Sequence, residues 1–72
     1  MKLAEGKKGE IYTVADIDLA EAEKRRLEIL GLNHGARIKI LEAKKSGSMI
    51  VKIRGTRYAI GKKFAHGILI DS

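Results

Sequence analysis

A chain of 72 residues holds one domain, residues 1–72, and a domain of that size buries only about 60% of its unfolded surface, which argues against a deep substrate pocket. It has no cysteine, which excludes disulfides and thiolate metal sites; Met1 to Gly9 lacks the apolar core of a signal peptide, and no apolar run approaches the ~18 residues that cross a bilayer. The formal net charge of +6 favours an acidic partner, and the expected location is the cytoplasm.

With no proline in the chain, glycine does most of the punctuation. From Gly9 to Ile17 the residues alternate, Ile11, Thr13, Ala15 and Ile17 against Tyr12, Val14 and Asp16. That spacing predicts a strand buried mostly on one side. A helix follows. Asp18 is the expected N-cap, with Glu21 three residues on as in a capping box, and Glu21 and Glu23 suit the positive end of the helix dipole. Ala20, Leu27 and Leu30 share its expected inward face with the stems of Glu23 or Lys24, and Leu19, Ala22 and Ile29 flank it. Gly31 is the expected stop, with Leu32 packing back on the last turn.

The remainder reads as antiparallel strands. Arg37 to Lys44 sets Ile38 and Ile40 against Arg37, Lys39 and Leu41; Lys45 to Ser48 is a turn; Met49 to Arg54 sets Met49, Val51 and Ile53 against Ile50, Lys52 and Arg54. Gly55-Thr56 is expected to form a type II′ turn, Arg57 to Ile60 the returning strand, and Gly61 to His66 a helical turn with Phe64 and Ala65 inward. Ile68 and Ile70 lie on a last strand. The predicted fold is mainly β: a small barrel of about five strands, one helix inserted after the first strand, and a short helical turn before the last. Closing the sheet would remove its exposed edges.

Arg25-Arg26-Leu27-Glu28-Ile29-Leu30-Gly31-Leu32, followed by Gly35, resembles the signature of FeoA domains. Ile50-Val51-Lys52-Ile53-Arg54-Gly55 resembles that family's hydrophobic–basic strand and turn, and Tyr58-Ala59-Ile60 with Ala65, Ile68 and Ile70 its closing pattern. The chain departs from the family at His34, where proline is common, and at Gly61, where a larger residue is common. The resemblance spans nearly the whole chain. It implies an SH3-like barrel and a role beside FeoB, a membrane ferrous-iron transporter with a cytoplasmic GTPase domain. A similar domain ends the DtxR-type metal-dependent repressors, so a regulatory module of that kind is the first alternative and a small nucleic-acid-binding barrel the second.

Two groups of cations are candidate partner-binding residues. Arg25 and Arg26, with Leu32 and His34, mark the end of the helix and its exit loop. Arg37, Lys39, Lys52 and Arg54 share the outward parity of two strands, and Arg57 extends them across the turn. For each group the competing explanation is structural: core and cap residues for the first, a solvated exterior for the second. Nucleic acid is the less expected partner, since only Tyr12, Tyr58 and Phe64 are aromatic and no dedicated motif is present. Direct insertion into a membrane is not expected, and the sequence leaves the oligomeric state open.

No cofactor is expected. For a divalent transition metal the candidates are His34 and His66, with Glu28 or Asp71 as the carboxylates to approach them in space, but no ligand spacing links them. Catalytic residues are not expected either. There is no phosphate-binding glycine loop and no cysteine, and Ser46, Ser48 and Ser72 have no neighbouring histidine. An arginine lent to a GTPase in trans, Arg54 or Arg57, is the one catalytic role the sequence leaves open.

Overall fold

The computed structural model describes residues 1–71; Ser72 lies outside them. After a 3-10 turn at Leu3–Glu5 come β1 (Ile11–Ile17), α1 (Glu21–Ile29), β2 (Arg37–Ala43), β3 (Met49–Ile53), β4 (Thr56–Ile60), α2 (Lys62–Gly67) and β5 (Ile68–Asp71). The strands form one antiparallel sheet in the order β4-β3-β2-β1-β5. Its inner face supplies most of the core, which is wholly apolar among the described residues. Leu3, Leu27, Leu32 and Ala65 complete it from outside the sheet. The buried Tyr12 keeps its hydroxyl satisfied by accepting from the Lys7 N–H at 2.9 Å.

The ladder does not close on itself. Its two edges are β4 and β5, and they differ. Met1 and Ile70 exchange backbone bonds of 2.7 and 3.1 Å, and Lys2 bridges to Leu69, so the N-terminal segment covers the outer edge of β5. Leu3, with no exposed surface, anchors that segment.

In β1 the strict alternation fails. Tyr12 and Val14 point inward, as does Ile17, while Ile11 is 47% exposed. The cause is an irregularity between Val14 and Asp16, where the pairing with β5 slips from Val14↔Ile70 to Asp16↔Leu69. One extra residue reverses the parity of everything after it.

Helix α1 also begins later than expected. Ala20 is its N-cap, without a side-chain cap bond, and Asp18 instead donates its N–H to the Gly67 carbonyl at 2.7 Å. The junction of α2 and β5 thus takes the residue that would have capped the helix. Leu27 is the one buried side chain of α1; Ala20, Leu30 and Ile29 are exposed. Its inward face is therefore narrower than the sequence suggests. The C-terminus behaves as expected. Gly31 is left-handed at φ 94, Leu32 donates to the Leu27 carbonyl and Gly31 to that of Glu28. This is a Schellman stop, and it delivers Leu32 into the core with no exposed surface.

The second hairpin uses a different turn from the one expected. Arg54 and Gly55 are its central residues, at φ 50 and 83, which makes it type I′. The register explains the choice. Ile53↔Thr56, Val51↔Tyr58 and Met49↔Ile60 set each inward residue of β3 against β4. A turn one residue later would leave Met49 opposite Lys62, beyond the strand.

The exposed Lys63 ammonium pairs with the half-buried Glu23 carboxylate and joins α2 to α1. That hydrogen bond, reinforced by the charge of Lys63, lowers the pKa of Glu23 against the opposing effect of desolvation. A lowered pKa means that the ionised form is favoured on folding. The contribution is complete above the ordinary glutamate range and is lost as pH falls through the lowered value. Lys63→Ala should move the Glu23 midpoint upward in an NMR pH titration of its side chain. Gly31→Ala should cost about 1–2 kcal/mol in urea denaturation, the penalty of a left-handed residue that carries a β-carbon.

Candidate partner-binding surface

The core takes one parity of each strand and leaves the other to solvent. On β2, β3 and β4 the outward residues are largely basic. Lys39 pairs with Lys52 and Lys52 with Arg57, so the three exposed cations lie side by side on three neighbouring strands. Strands lie about 4.8 Å apart, which gives a row about 10 Å long. Ile11, opposite Lys39, ends it with an exposed apolar side chain. Arg37 is exposed two residues from Lys39 on the same face, and the half-buried Ile50 and exposed Ala59 lie beside the row.

Like charges directly opposite one another destabilise a sheet. Among the described residues the one ion pair is Lys63–Glu23, on α2 and α1, so none of the three cations is ion-paired; the exposed Glu42, brought opposite Ile50 by an irregularity after Ile40, is the carboxylate that shares their face.

Not every cation of the predicted stripe belongs to it. Arg54 leaves the row at the hairpin turn. Its guanidinium lies 3.8 Å from where a β-carbon on Gly31 would stand, beside the C-terminus of α1. A cation at that end of a helix is favoured by the helix dipole.

The helix-exit group does not form one patch. Arg26 faces a groove with Leu27, Leu30 and Leu32, whereas Arg25 lies with Glu28, Ile29 and Asn33 on another side of the helix. Leu32 is fully buried and so is part of the core, not of an accessible surface. His34 is exposed in the loop after α1 and His66 in the last turn of α2. Among the described residues no three histidine, aspartate or glutamate side chains converge as metal ligands.

The groove beside Arg26 is the feature that sequence reasoning missed. It holds about 160 Å³ and is lined by α1, α2 and the edge strand β4, with Tyr58, Ala59, Ile60 and Phe64 completing it. Its signals in the sequence were weak: Leu30 follows the last regular turn of the helix, and Tyr58 and Ile60 fit an ordinary core strand.

Against this geometry, the FeoA domain model matches residues 1–72. The chain belongs to the FeoA family. A relative in Methanocaldococcus jannaschii, whose name carries the words Fe(2+) transport protein A, is 32% identical over 69 residues, 96% of this chain and 83% of that protein. The crystal structure of an iron uptake regulatory protein (FeoA) superposes with a TM-score of 0.89 at 31% identity, covering 97% of this chain and 93% of the other. The zinc complex of Stenotrophomonas maltophilia FeoA, described as a prokaryotic SH3 domain protein, superposes at 0.84 with 26% identity over 99% and 89% of the two chains. The SH3-like fold is therefore that of the family. A manganese-dependent transcriptional repressor shares the fold over 41% of its own length, at 24% identity and a TM-score of 0.90. No described helix is long and apolar enough to cross a membrane.

A charge reversal in the middle of the row checks its energetics. Lys52→Glu converts two like-charge pairs into two opposite pairs, worth about 0.2–1 kcal/mol each. The variant should unfold at higher urea than the parent at low ionic strength, and the gain should shrink as salt is added.

Proposed function

We propose that this FeoA-family chain is a non-enzymatic cytosolic accessory of ferrous-iron uptake that docks on the cytoplasmic GTPase domain of a FeoB-type transporter and supports or regulates it. The observation that carries this reading is the unpaired row Lys39, Lys52 and Arg57, exposed on a rigid sheet with apolar flanks. An acidic partner face would relieve the repulsion within the row and cover Ile11 and Ala59. Arg25 and Arg26 are secondary contacts, because their side chains diverge. Family membership and the name of the M. jannaschii relative support the link to iron transport.

Nothing in the geometry favours nucleic acid. Tyr12 is buried, and Tyr58 and Phe64 are turned toward the core, so no aromatic platform accompanies the row. Likeness to the repressor rests on the fold alone.

The test is a heteronuclear NMR titration of the labelled protein with the cognate FeoB GTPase domain, with nucleotide present. Shifts should group on Arg37, Lys39, Lys52 and Arg57. The triple variant Lys39→Glu, Lys52→Glu, Arg57→Glu should bind at least about tenfold more weakly, a loss of about 1.4 kcal/mol. Unchanged affinity in that variant, or equal binding to generic DNA at physiological salt, would remove the proposal. Arg25→Glu with Arg26→Glu should have the smaller effect.

A further inference from the structure

The two edges of the sheet are treated differently. Met1 and Lys2 cover β5, but no described residue pairs with the outer edge of β4. The register shows which groups are left. A two-residue type I′ turn makes Ile53↔Thr56 a hydrogen-bonded pair, and alternation makes Val51↔Tyr58 and Met49↔Ile60 hydrogen-bonded as well. Thr56, Tyr58 and Ile60 therefore spend their N–H and C=O groups on β3. Arg57 and Ala59 turn theirs outward, to the free edge, and no backbone or side-chain bond satisfies them among the described residues.

Exposed edges are commonly blunted by proline, a bulge, a covering segment or a charged side chain. On β4 only the last is present, in Arg57: there is no proline in the chain, and the β3–β4 register runs without a slip from Met49↔Ile60 to Ile53↔Thr56. The apolar groove lies against it. Leu30 is 38% exposed on the far wall, and Tyr58 and Phe64 are half-buried. Its volume of about 160 Å³ is close to the ~150 Å³ of apolar cavities that accept a benzene ring, enough for one large apolar side chain. Arg26 is the one charged residue of its lining, Arg57 is exposed on the edge itself, and no carboxylate lines it.

We propose that the groove between α1 and the free edge of β4 binds an extended segment of a partner protein, one that alternates carboxylate and large apolar side chains and adds to β4 as a further strand. The alternation follows from strand geometry. A residue opposite Arg57 shares its outward face and meets a cation. The next residue, opposite Tyr58, shares the inward face and enters the groove beside Leu30. A second copy of this chain fits less well. Edge-to-edge pairing would set Arg57 of one chain opposite Arg57 or Ala59 of the other, with no carboxylate on either β4 to meet it, and each chain carries +6. The proposal shares Arg57 with the Lys39–Lys52–Arg57 row but uses neither Lys39 nor Lys52, and it does not depend on the partner being FeoB.

The probe is the peptide acetyl-Glu-Leu-Glu-Leu-Glu-amide, which presents the alternation in either direction. Titrated into the labelled protein, it should shift Arg26 to Leu30 and Arg57 to Gly61. It should slow amide exchange at Arg57 and Ala59, whereas Tyr58, already bonded to β3, should change little. Replacing its glutamates by lysine, or its leucines by serine, should abolish binding. Leu30→Asp, which alters an exposed side chain, should weaken it by about tenfold or more, as should Ala59→Pro, which removes one outward N–H. Absence of shifts at millimolar peptide, shifts confined to Lys39 and Lys52, or binding without slowed exchange at Arg57 and Ala59 would each overturn the proposal. So would a protein dimer in sedimentation whose interface is β4, since the edge would then belong to a second copy.

Discussion

Side chains along a strand point alternately to the two faces of a sheet, and this domain has a single core on one of those faces. Ile38, Ile40, Met49, Val51, Ile53 and Ile60 all reach that core by taking the inner parity of β2, β3 and β4. The outer parity of the same strands then has no choice of direction. Lys39, Lys52 and Arg57 are brought side by side because their apolar neighbours must be buried, and hydrophobic burial outweighs cross-strand repulsion. A few apolar side chains at about 1.5–3 kcal/mol each exceed two like-charge pairs at under about 1 kcal/mol each.

The same constraint explains where the chain breaks its own rule. At Val14–Asp16 the pairing of β1 with β5 slips by a residue, and the slip lets Ile17 join Tyr12 and Val14 in the core. Strict alternation would have sent Ile17 outward with Ile11. At the other end of the sheet the type I′ turn at Arg54-Gly55 keeps Met49 opposite Ile60, although Arg54 must take a left-handed conformation. In both places local preference yields to the need to keep apolar residues covered.

The helix α1 and the turn that ends it link this core to the surface. Gly31 reverses the chain, Leu32 drops into the core and Arg54 lies over the reversal. Leu30 and Arg26 are thereby held on the wall of the groove beside β4. The basic sheet face and the apolar groove therefore share one strand: Arg57 belongs to the row, and Tyr58, the next residue, to the groove. A partner that engages one is well placed to engage the other.

Much of this was legible in the sequence. The mainly β character, the single long helix, the Gly31 stop, the strands near Arg37, Met49, Arg57 and Ile68 and the short helical turn after Gly61 all follow from period-two spacing, glycine placement and the FeoA-like signature. The outward parity of Lys39, Lys52 and Arg57 was legible too, since parity is a property of each strand by itself. Their adjacency was not, because register depends on turn geometry and on how two separate strands share a core. The Asp18 cap failed for a related reason: its N–H is taken by Gly67, 49 positions away in sequence, a partner that no local pattern reveals. The groove lay beyond sequence altogether. It is formed by two helices and an edge strand that meet only in the folded chain, and which strand becomes an edge is decided by the order β4-β3-β2-β1-β5. On β2, β3 and β4 sequence determined which residues face in and which face out, whereas in β1 the slip against β5 reversed that parity and in α1 packing narrowed the inward face to Leu27. The tertiary structure also decided which of those facing out became neighbours, because contact between separate strands and helices is set by shared burial and not by position along the chain.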